Sequence, residues 1–112
     1  MSVTTPAGFR AAGMAAGLKA SGGPDLAIVI NDGPTRTGAA VFTSNRAQAN
    51  PIRWSRQALT HSDGEVRAIV LNSGGANCFT GQFGYETSAL TASETAVLLG
   101  TEAATIQVCS TG

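Results

Sequence analysis

The sequence is poor in charge and in aromatic side chains. Charged residues make up 12% and aromatic residues 5% of its 112 positions, and seven basic side chains balance seven acidic ones. A neutral chain has no long-range attraction for DNA, RNA or an anionic membrane, so we expect no nucleic-acid partner. The longest strictly apolar run, residues 26–30, is far shorter than the roughly 20 residues that cross a bilayer, so we expect no membrane partner either.

Cysteine and histidine are also scarce. Cys78 and Cys109 are the only cysteines and lack C-x-x-C spacing, so we expect free thiols rather than a disulfide framework. His61 is the only histidine and has no neighbouring cluster of ligands, which predicts no metal site. The N-terminus has neither the basic start nor the apolar run of a signal peptide. Together these absences predict a cytoplasmic protein.

Apolar segments separated by turn signals predict a mixed α/β layer, with helices lying against a sheet of at least four strands. The Gly- and Ala-rich residues 7–23 favour irregular or short extended structure. A short connection between the first two strands favours an antiparallel pair. The expected strands cover residues 26–30, 38–43, 66–71 and 105–109, and the expected helices cover about 51–59 and 84–99.

Three residues mark the helix ends. Asn50 suits the N-cap of the first helix, and Pro51 suits its first helical position. Gly100 stands where the second helix needs a left-handed C-cap. Along that helix Tyr85, Ala89, Ala92, Ala96 and Leu99 recur at helical spacing and predict its buried face.

Two segments offer candidate chemistry. The paired glycines of the 72–77 loop could form an anion-binding nest of backbone N–H groups, although a turn with unusual dihedral angles is the commoner role. Residues Ser110, Thr111 and Gly112 place two hydroxyls and an unhindered N–H at the end of a strand. These are the parts of an oxyanion hole, although the tripeptide alone is more often a plain strand-to-turn connection.

The remaining polar residues carry less information. Arg53 and Arg56 could bind an anion from the short helix, but exposed helix arginines are usually solvated. Asp25, Asp32 and Glu86 include no close pair that would indicate acid–base catalysis. Either cysteine could act as a nucleophile only beside a base, and small buried thiols are far commoner.

Several segments together cover nearly the whole chain in one order. They are Thr5-Pro6-Ala7-Gly8-Phe9, Ala12-Gly13, Ala16-Gly17-Leu18-Lys19, Asp25-Leu26-Ala27-Ile28-Val29, Ala40-Val41-Phe42-Thr43-Ser44-Asn45, Leu71-Asn72-Ser73-Gly74-Gly75-Ala76-Asn77, Thr80-Gly81 and Cys109-Ser110-Thr111-Gly112. In this combination the chain resembles the ArgJ family, the bifunctional ornithine/glutamate N-acetyltransferases of arginine biosynthesis, and most of all its actinobacterial members.

The resemblance implies an enzyme that transfers acetyl from N-acetylornithine to glutamate, and some members also accept acetyl-CoA as co-substrate. It implies no other cofactor. The family's precursor cleaves itself into α and β chains, and the new N-terminal threonine of the β chain is the nucleophile, with its own amine as the base. The fold is a layered α/β arrangement, and the chains assemble as an α2β2 heterotetramer.

Carried onto this sequence, the family's oxyanion-hole pair falls on Thr111 and Gly112. The 72–77 loop also matches the family, and we expect it to shape the sheet edge near the site without a catalytic role. The family's α chain continues beyond this strand to its cleavage junction. We therefore expect residues 1–112 to be a single partial domain, the N-terminal portion of the α chain, with no activity alone.

Two alternatives to the enzyme remain open. The chain could be a non-enzymatic α/β module that binds an amino acid or an anion through Gly74 and Gly75. It could also be an interaction fragment whose exposed apolar sheet needs a partner. Aminopeptidases that share the family's fold are a weaker enzymatic alternative, because the matching segments are those of the acetyltransferases.

Overall fold

A four-stranded sheet with two helices packed against it makes up the computed structural model, which describes residues 1–112. The strands lie in the order β1-β2-β3-β4. Both β1–β2 and β2–β3 are antiparallel, whereas β3–β4 is parallel. The mixed α/β fold class expected from the sequence is thereby confirmed. The elements are β1 Phe9–Met14, β2 Leu26–Asn31, α1 Asn50–His61, β3 Ala68–Ser73, α2 Gly81–Leu99, a 3-10 turn Ala103–Thr105 and β4 Ile106–Thr111.

The parallel pair decides where polar side chains gather. Parallel neighbours need a crossover connection, and α2 supplies it between β3 and β4. Because the two strands run in the same direction, their carboxyl ends meet at one edge of the sheet. The 72–77 loop and residues Ser110 to Gly112 therefore lie side by side, although they are far apart in sequence.

The core lies between the sheet and the helices. Alternate rungs of the β3–β4 ladder place Ala68 beside Ile106 and Val70 beside Val108, and all four side chains are buried. Ile30 on β2 and Ala92 and Ala96 on α2 complete the buried apolar cluster. Alternate residues of a strand point to opposite faces, so one face of each strand enters this cluster.

Helix α1 closes the outer edge of β4. Trp54 Nε1 donates to the Ile106 carbonyl over 3.1 Å. Ser55 Oγ donates to the Val108 carbonyl over 3.1 Å and accepts from its N–H over 3.0 Å. These backbone groups lie on the side of β4 that no strand covers, and a buried backbone group without a partner would destabilise the fold. The side chains of α1 thus supply the hydrogen-bond partners that a neighbouring strand would otherwise provide for β4.

The predicted end of α2 is confirmed, because Gly100 has φ +64° and ψ +42°. The helix begins at Gly81, three residues before the expected position. The predicted apolar face is only half right: Ala92 and Ala96 are buried, whereas Tyr85, Ala89 and Leu99 are half-buried. Small polar or achiral residues, Ser88 and Gly84, complete the buried stripe. Neither helix is long and apolar enough to span a membrane.

Three expectations about local structure were wrong or incomplete. Residues 38–43 do not form a strand, because β1 and β3 already occupy the two edges of β2. The Gly- and Ala-rich N-terminal segment instead supplies β1. Asn50 is not the N-cap of α1, because Ala49 holds that position. Asn50 is the first helical residue, and Pro51 is the second.

The sheet face opposite the helices is largely uncovered. Val29 and Ile69 are half-buried on this face, and Leu71 and Cys109 are exposed. Residues 37–42 cover one part of it and line a partly open cavity of about 520 Å³. Apolar side chains here are packed far less tightly than those under the helices.

Candidate functional site

The sequence-predicted residues Ser110, Thr111 and Gly112 lie at the carboxyl end of β4, directly beside the 72–77 loop. In the ladder Asn72 is the partner of Ser110, and Ser73 is the partner of Thr111. The structure thus brings together the two segments that the sequence singled out separately. No hydrogen bond or ion pair joins His61, Cys78 or the arginines of α1 to these two segments.

Ser110 forms a polar bridge between β4 and the loop. Its hydroxyl lies 2.7 Å from Asn72 Oδ1 and 3.0 Å from the Gly75 carbonyl oxygen. On the sheet face that carries Val70 and Val108, Asn72 and Ser110 are the next pair along the ladder. The apolar rungs of the core are therefore succeeded by a hydrogen-bonded rung where the strands leave the helices.

The loop also holds the backbone of β4. The N–H groups of Gly74 and Gly75 donate to the Thr111 carbonyl over 3.1 and 3.3 Å. Gly74 has φ +98°, a conformation that side chains disfavour. A Cβ on Gly74 would also lie 2.8 Å from Lys19 Cγ, so the neighbouring segment leaves no room for one.

That neighbouring segment is organised by Asp25, which sequence reasoning passed over. The buried carboxylate accepts N–H bonds from Ala16 (2.6 Å), Leu18 (2.6 Å) and Lys19 (2.9 Å). These donors, that of Ala16 first, hold the pKa of Asp25 below its usual range. The backbone carbonyl of Asp25 accepts the Ser73 N–H over 2.9 Å, which ties the segment to β3. Its position between a glycine-rich stretch and a buried strand was the only sequence signal.

A second polar cluster anchors the far end of the loop to both helices. Asn50 Nδ2 donates to Asn77 Oδ1 over 3.2 Å and to Thr80 Oγ1 over 2.9 Å. Asn77 Nδ2 donates to the Gly84 carbonyl over 2.7 Å and to Ser88 Oγ over 3.2 Å. The structure therefore uses Asn50 to join α1 to α2, not to cap α1.

Thr111 and Gly112 lie at the exposed end of β4. Both residues are exposed, and neither the Thr111 hydroxyl nor the Gly112 N–H donates a hydrogen bond within the chain. Because side chains alternate along a strand, Thr111 points to the uncovered face. There it lines a depression of about 460 Å³ together with Leu71, Ser73 and Cys109. The unpaired Thr111 hydroxyl thus adjoins an open depression, and the unpaired Gly112 N–H belongs to the next residue.

The other candidates from the sequence lack a chemical setting. His61 is exposed in the last turn of α1. No group of three His, Cys, Asp or Glu side chains is close enough to hold a metal ion. Both cysteines have exposed surface, and the partial burial of Cys109 raises the pKa of its thiol, which disfavours the nucleophilic thiolate.

The two arginines of α1 are engaged with aromatic rings. The Arg53 guanidinium lies 5.3 Å from the centre of the Tyr85 ring, and that of Arg56 lies 5.2 Å from the centre of the Phe42 ring. Each distance is within the range of a cation–π contact. Arg53 also donates to Asn50 Oδ1 over 3.3 Å. Both side chains therefore serve packing around α1, away from Thr111.

Comparison with known proteins relates the whole chain to one family. Residues 10–112 match the model of the ArgJ family. All 112 residues align with the arginine biosynthesis bifunctional protein ArgJ of Thermobifida fusca at 57% identity, and with that of Streptomyces coelicolor at 56% identity. The chain spans 29% of the length of each of these relatives.

The fold matches that of solved relatives. The crystal structure of ornithine acetyltransferase complexed with ornithine from Mycobacterium tuberculosis superposes with a TM-score of 0.94 at 51% identity. The match covers 98% of this chain and 58% of that one. The arginine biosynthesis bifunctional protein from Bacillus halodurans superposes with a TM-score of 0.91 at 31% identity, over 100% of this chain and 57% of that one. On sequence and fold alike, this chain belongs to the ArgJ family.

Proposed function

We propose that this chain forms the N-terminal portion of an enzyme that transfers acetyl from N-acetylornithine to glutamate, and that it supplies the oxyanion hole. Family membership supports the reaction class, and the related Mycobacterium tuberculosis enzyme is complexed with ornithine in its crystal structure. The chain spans 29% of its relatives' length, so residues outside it would supply the nucleophile and most of the substrate contacts. The chain alone is then inactive.

The observation that carries the proposal is the pair of free donors at the end of β4. The Thr111 hydroxyl and the Gly112 N–H belong to adjacent residues, are exposed, and have no acceptor within the chain. Fixed donors aimed at one point stabilise negative charge best when they need not be reoriented during the reaction. The loop bonds to Ser110 and Thr111 supply that rigidity.

In the proposed reaction the two donors act twice. The hydroxyl of the β-chain N-terminal threonine attacks the acetyl carbonyl of N-acetylornithine, and its proton passes to the threonine's own amine. The carbonyl oxygen becomes an oxyanion held by Thr111 and Gly112. The threonine ammonium returns its proton to the departing nitrogen, and ornithine leaves as the amine when the tetrahedral intermediate collapses to an acetyl ester. The amino group of glutamate then attacks the ester and gives a proton to the threonine amine, and the same donors hold the second oxyanion. Its collapse breaks the ester C–O bond, the threonine oxygen takes the proton back, and N-acetylglutamate is released.

The position of the donors fits a site completed by another polypeptide segment. Thr111 lies on the uncovered sheet face, where Val29, Ile69 and Leu71 are incompletely buried. An apolar face of this kind is stabilised when another layer packs on it. We propose that the β chain of the same precursor meets the chain on this face within an α2β2 heterotetramer.

The alternative of a small-molecule binding module has less support. An anion nest would need the N–H groups of Gly74 and Gly75, and both already donate to the Thr111 carbonyl. The ammonium group of the neighbouring Lys19 donates to the Pro24 carbonyl over 3.1 Å. Calorimetry of the chain alone with glutamate, ornithine and phosphate distinguishes the alternatives, since the acetyltransferase proposal predicts no tight binding.

A chimera tests the proposal directly. This chain replaces the aligned region of the Thermobifida fusca relative, with which it shares 57% identity. We expect the purified chimera to release ornithine from N-acetylornithine over many turnovers only when glutamate is present, with no more than one ornithine per site in its absence, and the 112-residue chain alone to release none. An inactive chimera beside an active unmodified relative would contradict the proposal.

A further inference from the structure

We propose that Asn72 and Ser110 are positioning residues, which hold the 72–77 loop so that it orients and polarises the Gly112 N–H. This inference rests on the proposed function, because it assigns a role toward the same oxyanion. It departs from the expectation that the loop only shapes the sheet edge. The loop is connected to the oxyanion donor through the Thr111–Gly112 peptide, whose oxygen accepts the N–H groups of Gly74 and Gly75.

The Thr111 carbonyl and the Gly112 N–H belong to the same peptide unit. A trans peptide is planar, and its C=O and N–H point in opposite directions. Gly74 and Gly75 hold the carbonyl oxygen from one side, with N···O distances of 3.1 and 3.3 Å. The direction of the Gly112 N–H is therefore set by two donors that lie on the opposite side of the peptide.

The same two bonds change the strength of the donor. A carbonyl that accepts hydrogen bonds polarises its amide, and the N–H of that amide becomes a better donor. With two donors on its oxygen, the Thr111–Gly112 peptide is polarised before any substrate arrives. The N–H would then hold an oxyanion more tightly than it holds a neutral carbonyl, which is the difference that accelerates a reaction.

Asn72 and Ser110 keep the glycine turn in place. Ser110 Oγ lies 2.7 Å from Asn72 Oδ1 and 3.0 Å from the Gly75 oxygen, but a hydroxyl has one proton. The oxygen and nitrogen of the Asn72 amide exchange places when the amide group is rotated by about 180°. Nδ2 then donates to Ser110 Oγ, and the serine hydroxyl donates to the Gly75 carbonyl. In this arrangement the serine hydroxyl both accepts and donates, and one chain of hydrogen bonds runs from β3 through β4 to the turn.

Ser55 provides a matched control. Its hydroxyl also makes two hydrogen bonds to β4, but to the backbone of Val108 on the outer edge. It is buried and does not contact the glycine turn. Loss of either serine hydroxyl weakens the attachment of β4, whereas only Ser110 acts on the peptide that carries the oxyanion donor.

The experiment measures kcat, KM and thermal stability in the chimera with Ser110→Ala, Asn72→Ala, the double variant and Ser55→Ala. We expect Ser110→Ala and Asn72→Ala each to lower kcat about tenfold with little change in KM, since displacement of a catalytic group slows the chemical step. The double variant should lose no more than either single one, because the two residues act as a unit. Ser110→Thr, which keeps the hydroxyl, should restore most of kcat.

The outcomes separate this inference from the proposed function. If Ser110→Ala keeps kcat within twofold of the unmodified chimera while Thr111→Val lowers it strongly, the inference fails and the proposed function stands. Equal losses of kcat in Ser55→Ala and Ser110→Ala would also overturn the inference, because loosening of β4 would explain both. If Ser110→Ala does not fold, the nearly isosteric Ser110→Cys takes its place, with the same loss of kcat expected. An inactive chimera, or one indifferent to Thr111→Val, would overturn the proposed function and the inference with it.

Discussion

Ser110 lies opposite Asn72 across the parallel β3–β4 pair, and its hydroxyl oxygen is 2.7 Å from Asn72 Oδ1. The preceding rung on the same face joins Val70 to Val108, and both are buried. One step along the ladder therefore separates the apolar core from a polar connection to the 72–77 loop. The core fixes the position of the rung, and the rung holds the segment that ends in Thr111 and Gly112.

Gly84→Ala should destabilise the chain. A Cβ at this position would lie 1.8 Å from Thr80 Oγ1 and 2.4 Å from Asn77 Oδ1, within the cluster that joins the two helices. Alanine favours a helix over glycine by about 1 kcal/mol, but overpacking together with broken buried hydrogen bonds costs more. We expect the free energy of unfolding to fall by about 2 kcal/mol in urea denaturation. Ser93→Ala on the exposed side of α2 is the control and should not lower it.

An unchanged or raised free energy of unfolding in Gly84→Ala would contradict this account of the cluster. It would mean that the Thr80 and Asn77 side chains move aside without any loss of stability.

Acid should destabilise the fold through Asp32. Arg10 first, and then Arg67, lower the pKa of Asp32 from 3.8 to about 2. A carboxylate whose pKa is lower in the folded state contributes stability above its unfolded pKa and loses that stability as the pH falls through its folded pKa. The free energy of unfolding should therefore decrease between about pH 4 and pH 2, and less steeply in Asp32→Asn. Urea denaturation across this range measures both slopes.

Asp32→Asn should still lose some stability as the pH falls, because the pKa of Asp25 is also lowered in the folded chain. Asp63→Asn serves as the control, since Asp63 forms no ion pair. Equal slopes for Asp32→Asn and the unmodified chain would contradict the assignment.

Asp25→Asn should loosen the segment that supports Gly74. The carboxylate accepts N–H bonds on both oxygens. In asparagine an NH2 group replaces one of these oxygens, and it cannot accept a hydrogen bond from the backbone N–H that faces it. We expect faster amide hydrogen exchange at Ala16, Leu18 and Lys19, together with a lower melting temperature. Exchange at these three amides as slow as in the unmodified chain would contradict the role given to Asp25.

The predictable part of the fold consists of locally coded elements. The apolar run of β2, the left-handed Gly100 and the proline at the start of α1 each act within a few residues, so the sequence alone indicates them. For β1 the sequence indicated only irregular or short extended structure, because its Ala and Gly residues have little strand preference and its pairing with β2 is what makes it a strand. Residues 38–43 show the reverse case, an apolar segment with no free strand edge beside it.

The candidate site was predicted by a different route. Thr111 and Gly112 were singled out by the family resemblance, since the tripeptide alone favours a plain strand-to-turn connection, and their role as oxyanion donors stays a prediction. The Asn72–Ser110 rung could not be predicted, since it depends on which strands are neighbours and in which register. Asp25 was passed over for a related reason: its partners are backbone N–H groups, which leave no side-chain signature in a sequence.

The most direct test of the central claim is the effect of Thr111→Val on kcat in the chimera. Valine keeps the shape of threonine and removes the hydroxyl donor. Loss of one oxyanion donor lowers kcat about 100- to 1000-fold in enzymes of this mechanistic type, and we expect a loss of that size with KM little changed, whereas Thr111→Ser should stay within a few-fold of the unmodified chimera. A Thr111→Val chimera that retains full kcat would contradict the assignment of Thr111 to the oxyanion hole.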